Sequence, residues 1–222
     1  MTAAAQPGPA ARPAPERLAI LGATGGIGAH LLSWAVGAGH PVHVLARRPE
    51  AVPPGPGVTV TGGDATDPAA VADVVGSADA VLSALGPRGA KTPGLLGAAA
   101  AAMTQAMVKH GVRRLICVSA AGAFVREDPQ ASPVVKAILP RVFAKPFADV
   151  REMERVVRAS ALDWTLVRPT RLVDGPGRGE FRIRDRYPAP GLTRIARADV
   201  AQFMIGALTA PGYVRQAPAI CW

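Results

Sequence analysis

The segment Leu18 to Gly28, L-A-I-L-G-A-T-G-G-I-G, constrains this chain more than any other. An apolar run enters a glycine cluster, and the residues that follow, A-H-L-L-S-W-A-V, carry a helical pattern. Strand, tight turn and helix in that order make a cradle for phosphate. Gly22 permits the sharp exit from the strand. Gly25 and Gly26 leave room for a pyrophosphate to approach the backbone, and Gly28 lets helix and strand pack closely. The helix then offers free N–H groups and its positive dipole end to the anion. The expectation is a dinucleotide site at the first βα corner; the alternative is a glycine-rich turn that binds nothing.

The alternation continues along the chain, which predicts a doubly wound parallel sheet covered on both faces, a Rossmann-like α/β fold. Strands are expected at 18–21, 42–46, 58–62, 80–84, 114–119 and 164–167. Helices are expected at 26–38, from Asp67 (cap) and Pro68 to 75, after the loop 86–94 as far as His110-Gly111, at 149–159, and from Arg197 to 208. Between 123 and 147 four prolines leave room for one short helix, 134–139. Residues 174–191 read as an Arg-rich loop or hairpin. A single dinucleotide-binding domain is expected over 17–210, with a small C-terminal substrate side built from segments 121–147 and 171–192 and a C-terminal tail at 211–222.

Composition excludes several classes. A chain of 222 residues holds one large domain, and no run approaches the roughly 20 apolar residues that cross a bilayer. Residues 1–16 are Ala/Pro/Gly-rich without an apolar core, which reads as a disordered leader and not a signal peptide. Cys117 and Cys221 lack metal spacing, so a reduced, cytoplasmic setting is expected. The net charge of +9 comes from scattered arginines without interleaved aromatics, and lysine occurs only at 91, 109, 136 and 145. That pattern argues against a nucleic-acid surface.

Particular residues have chemical reasons for their places. Arg47 and Arg48 follow the second strand, where arginine suits a ribose 2′-phosphate and an acid would suit the 2′-hydroxyl; NADP(H) is favoured over NAD(H). Asp64 can accept from an adenine amino group or cap its own turn, and Ala65 can pack on the ring. Leu85 and Gly86 follow the fourth strand, beside the central riboses. Ser119, at the end of the fifth strand, either touches substrate or bonds local backbone. Lys145 can bind the nicotinamide ribose or lower a donor's pKa, or be surface charge. Pro169 and Thr170 follow the sixth strand in a turn whose backbone can meet the nicotinamide carboxamide. Asp149, Glu152 and Glu154 read as the acidic start of a helix.

Seven stretches together carry a family resemblance: L-G-A-T-G-G-I-G (21–28), V-L-A-R-R (44–48), G-D-A-T-D (63–67), D-A-V-L-S-A-L-G (79–86), R-L-I-C-V-S-A-A-G (114–122), L-D-W-T-L-V-R-P (162–169) and A-R-A-D-V-A (196–201). The chain resembles an atypical short-chain dehydrogenase/reductase of the NAD(P)H-binding, NmrA-like group, similar to biliverdin-IXβ/flavin reductases. The resemblance implies that Gly22, Thr24, Gly25, Gly26 and Ile27 hold the pyrophosphate, Arg47 and Arg48 the 2′-phosphate, Asp64 and Ala65 the adenine, Leu85 and Gly86 the ribose, and Pro169 and Thr170 the nicotinamide. It departs from the wider superfamily in lacking a Tyr-x-x-x-Lys pair. The serine of the flavin-reductase relatives falls on Ala120, one position after Ser119. These features lead to an NADPH-dependent reductase, a monomer or weak homodimer, that passes hydride to a small conjugated acceptor such as a flavin, quinone or polyketide-like carbonyl. The alternatives are a non-catalytic NADP(H)-sensing regulator, or a non-redox epimerase, isomerase or dehydratase on the same fold.

Overall fold

Successive residues of the first strand, β1 (Leu18–Leu21), point into two different cores. The computed structural model describes residues 16–86, 93–191 and 193–222, so the expected leader lies outside the described residues except for Glu16. Ala19 and Leu21 join one cluster with Val81, Leu115, Val71, Met103, Met107, Met153 and Val157. Leu18 and Ile20 join the other with Leu82, Ile116, Leu31, Ala35, Val200 and Met204. A strand covered on both faces can be apolar at every position, which is why the strands read as runs and not as alternations.

The strands β1, β2 (Val42–Ala46), β3 (Val58–Gly62), β4 (Ala80–Ser83), β5 (Arg114–Val118), β6 (Asp163–Pro169), β8 (Arg182–Asp185) and β10 (Pro218–Cys221) form one sheet in the order β3-β2-β1-β4-β5-β6-β10-β8. All neighbours are parallel except β10 and β8. A second, two-stranded sheet pairs β7 (Arg171–Val173) with β9 (Arg194–Ala196). Helices α2 (Pro68–Val75), α3 (Leu95–His110) and α5 (Ala144–Ala159) cover one face of the main sheet; α1 (Gly26–Gly37) and α6 (Arg197–Gly206) cover the other.

Three expectations need correction. The segment 123–147 holds a ten-residue helix, α4 (Pro133–Val142), and α5 begins at Ala144 instead of Asp149. The prolines there do not break structure. Pro133 sits in the first turn behind Ser132, whose hydroxyl accepts from the Val135 amide at 3.3 Å, and Pro146 falls in the first turn of α5, where the amide needs no partner. Asp149 and Glu154 are consequently mid-helix and buried, not a helix start.

Residues 211–222 are no tail: 218–221 form β10, wholly buried between β6 and β8. Without that strand, the long buried β6 would present an open edge. The adjoining Trp222 donates its indole N–H to Asp199 Oδ2 at 2.8 Å. The Arg-rich segment 174–191 contributes β8 on the far side of β10.

Candidate dinucleotide site

The sheet order reverses between β1 and β4, and a crevice for ligand is expected at the carboxyl ends of such strands. Gly22 occupies that point with φ +86°, and a Cβ there would lie 2.9 Å from the Ala84 carbonyl and the Leu85 nitrogen. A Cβ on Gly28 would come within 2.0 Å of the Gly22 oxygen. These two positions exclude any side chain. The Gly25 amide donates to Gly22 O at 3.0 Å and closes the turn; the Ala29 amide donates to Gly25 O at 2.8 Å and is the first rung of α1. The N–H groups of Gly26, Ile27 and Gly28 precede that rung. Thr24, Gly25 and Gly26 are exposed, while the Ile27 side chain is buried in the core. The start of α1 has no side-chain cap and no acid in its first turn. At α3, by contrast, Asp149 reaches across from α5 to accept from the Leu96 and Gly97 amides at 3.1 Å. The α1 end is thus left with unopposed positive character, suited to an anion from outside.

The remaining cofactor candidates lie along the same edge of the sheet. Arg47 and Arg48 are exposed at the end of β2. Asp64 follows β3, where its Oδ1 accepts from the Thr66 amide at 2.9 Å and the Thr66 hydroxyl at 2.7 Å. Those bonds, with Arg47 nearby, hold its carboxyl below the usual range. The geometry shows the turn-capping role for that oxygen. Ala65 is buried in the core alongside α2 and α3. Leu85 is half-buried and Gly86 exposed beyond β4. Pro169 closes β6 and is buried; Thr170 follows it, its amide donating to Ile220 O at 3.2 Å.

The two catalytic candidates are not brought together as donors. Lys145 is exposed in the first turn of α5. Ser119 is buried, and its hydroxyl donates to Glu154 Oε1 at 2.6 Å. Glu154, read from the sequence only as part of an acidic helix start, is the residue whose buried role sequence reasoning missed. It also receives Arg168 in a two-pronged pair and Arg158 at 3.0 Å. Arg168 lies 3.6 Å over the Phe124 ring and donates to Arg186 O at 3.2 Å. The Glu154–Arg158 spacing of four was visible in the sequence; nothing local announced Arg168.

Beside these strand ends a cavity of about 730 Å³ opens between residues 120–147 on one side and residues 169–172, 188–191 and 193 on the other. Its walls are mostly apolar, with Ala120, Leu139, Phe147 and Leu172 among them, and Asp128, Thr170 and Arg171 bring polar groups. Neither Ser119 nor Lys145 lines it. Thr170 Oγ1 is buried without a hydrogen-bond partner among the described residues. An orphaned hydroxyl at the end of β6, on the same edge of the sheet as a corner where Gly22 and Gly28 leave no room for a Cβ, fits a ligand that supplies both a diphosphate and a polar head.

Fold and site together define a dinucleotide-binding Rossmann domain. Residues 22–211 match the NAD(P)H-binding family, and the chain belongs to it. A (4-alkanoyl-5-oxo-2,5-dihydrofuran-3-yl)methyl phosphate reductase from Streptomyces griseus is 31% identical over 208 residues, which is 90% of this chain. The chain spans 66% of the length of that relative. An anaerobillin reductase from Escherichia coli O157:H7 has the same fold with a TM-score of 0.74 at 23% identity, covering 92% of this chain and 96% of its own. A short-chain dehydrogenase/reductase from Veillonella parvula in complex with NADP does so at 0.74 and 21%, covering 92% and 94%. No helix among the described residues is long and apolar enough to cross a membrane.

Proposed function

We propose that the protein is an NADPH-dependent reductase whose acceptor is a small, conjugated, largely apolar molecule. The observation that carries this reading is the cavity of about 730 Å³ placed against Pro169 and Thr170, at the strand ends where the nicotinamide half of a dinucleotide would end. The corner at Gly22–Gly28 would hold the diphosphate, Arg47 and Arg48 the 2′-phosphate, and the Thr170 hydroxyl the carboxamide end. Bound there, the cofactor supplies a hydride. The Streptomyces relative, named as a reductase of an unsaturated lactone, supports an acceptor with an activated double bond.

The chain's own part is positioning. With the Ser119 proton committed to Glu154 and Lys145 exposed, neither supplies an acid at the cavity. An activated double bond, quinone or flavin takes a hydride with little proton assistance, and water delivers the proton. Holding donor and acceptor in register accounts for the rate. Arg168 fixes the two walls, because it ties α5 through Glu154, the 121–124 turn through Phe124 and the β8 segment through Arg186.

The test is to incubate the protein with NADPH and a panel of acceptors: an unsaturated lactone, a quinone, FMN and a saturated ketone. Loss of cofactor absorbance above the uncatalysed rate on one of the first three is expected. Tight NADPH binding without turnover on any acceptor would favour the sensor, and a product at unchanged oxidation level the non-redox enzyme.

A further inference from the structure

Arg197, the first residue of α6, lies across the first βα corner. A Cβ built on Gly26 would meet its Cδ at 2.6 Å and its Nε at 2.9 Å. The stem of the arginine therefore fills the space that Gly26 leaves, and the guanidinium sits over the first turn of α1. Nη1 donates to Asp174 Oδ1 at 2.7 Å. The side chain of Asp174 is 92% exposed and that of Arg197 29%. A pair so open to water holds weakly. Asp199, two residues along α6, does not compete for the cation: its oxygens accept from the Arg178 and Gly179 amides and the Trp222 indole.

Without Asp174 the placement is electrostatically unfavourable. A cation beside the positive end of a helix is repelled, and α1 offers no acidic residue in its first turn to offset this. The balance reverses when a doubly charged anion lies between the guanidinium and the N–H groups of residues 26–28. The planar guanidinium fork matches phosphate oxygens two at a time.

We propose that Arg197 is a side-chain arm of the diphosphate site, and that Asp174 is the carboxylate the incoming diphosphate displaces from it. The proposal rests on the α1 corner being the cofactor cradle. It gives Gly26 a reason distinct from backbone approach: a side chain at 26 would push the arginine off the site.

Calorimetric titration of the full chain with NADPH and with NADH tests it, using Arg197→Leu, Arg197→Lys, Asp174→Asn and Arg47→Asp. Arg197→Leu is expected to weaken both nucleotides about tenfold or more, as loss of a charge-assisted hydrogen bond does. Arg197→Lys recovers part of that loss. Asp174→Asn tightens both by roughly two- to fivefold, the scale of an exposed ion pair. Arg47→Asp, by contrast, moves NADPH far more than NADH. Unchanged affinity in Arg197→Leu overturns the proposal, and so does unchanged or weaker binding in Asp174→Asn, a variant at an exposed site with little bearing on folding. A wild-type chain that binds neither nucleotide overturns the cradle assignment itself, a separate outcome from either variant result.

Discussion

Glu154 and Arg168 face each other in the interior as a two-pronged ion pair, Nε to Oε1 at 2.8 Å and Nη2 to Oε2 at 2.7 Å, with side chains 2% and 5% exposed. The pair joins the middle of α5 to the end of β6, and Ser119 at the end of β5 donates into the same carboxylate. Breaking such a pair leaves a buried charge without its partner, at a cost of about 3–5 kcal/mol. Urea unfolding of Glu154→Gln and of Arg168→Met should each show a loss of that size. The double variant should lose clearly less than the sum, because neither charge is then stranded. A purely additive double variant would mean the two residues act independently.

Exchanging the charge at the end of β2 should change cofactor preference. Arg47→Asp is expected to weaken NADPH at least about tenfold, the scale of one charge-assisted hydrogen bond, and to affect NADH much less. Equal loss for both nucleotides in a fluorescence titration would remove Arg47 from the 2′-phosphate site.

Two glycines in one helix should respond in opposite senses. At Gly28 an added Cβ would meet Gly22 O at 2.0 Å, a contact with backbone that cannot move aside cheaply. Gly28→Ala should destabilise by about 1–3 kcal/mol, as overpacking does, and weaken nucleotide binding. At Gly37 nothing lies within 4 Å of the added atom. Gly37→Ala should stabilise by about 0.4–1 kcal/mol through helix propensity and a less free unfolded chain. Thermal unfolding of the two variants measures both.

The first half of the fold was legible because each local signal agreed with the global one. Asp67 and Pro68 were expected to open α2, and Asp67 accepts from the Ala69 amide at 2.9 Å. Gly28 is required by its contact with Gly22, and Gly22 by its positive φ, both at the strand–helix turn itself, so sequence spacing reveals them. The second half was less legible because its determinants are distant. Arg168 meets Glu154 from 14 positions away, and Asp149 caps a helix 53 positions earlier. β10 reads as a tail because four apolar residues near the end of a chain carry no periodicity; only the open edge of β6 explains them. Pro133 and Pro146 suggested a break where the first turn of a helix accommodates them. The apolar walls and the orphaned hydroxyl of Thr170 belong to a cavity assembled from two separate segments, which no local pattern displays.

Acid should weaken the fold from about pH 4 downward. Hydrogen bonds to Asp64 from Thr66, to Asp79 from Arg17 and to Asp163 from Arg113 lower all three carboxyls. A carboxyl lowered on folding contributes stability above its unfolded pKa, about 3.9, and loses it as pH falls through the folded value. These groups are solvent-accessible, so the slope should be shallow. Stability that rises between pH 4 and 2 would contradict the assignment.

Both cysteines should be silent to thiol reagents in the native state. Cys117 and Cys221 are buried, and burial pushes the Cys117 thiol up to about 12, which keeps it protonated at neutral pH. Two equivalents should react with an aromatic disulfide reagent only after denaturant is added. Rapid labelling without denaturant would show that β5 or β10 is open.

Whether the corner formed by β1 and α1 grips a nicotinamide nucleotide by its diphosphate is decided by calorimetric titration of the full chain with NADPH and then NADH. Saturable association is expected with both, tighter for NADPH, and strongly weakened by Gly28→Val. Heats no larger than dilution for both nucleotides would contradict the assignment of this corner.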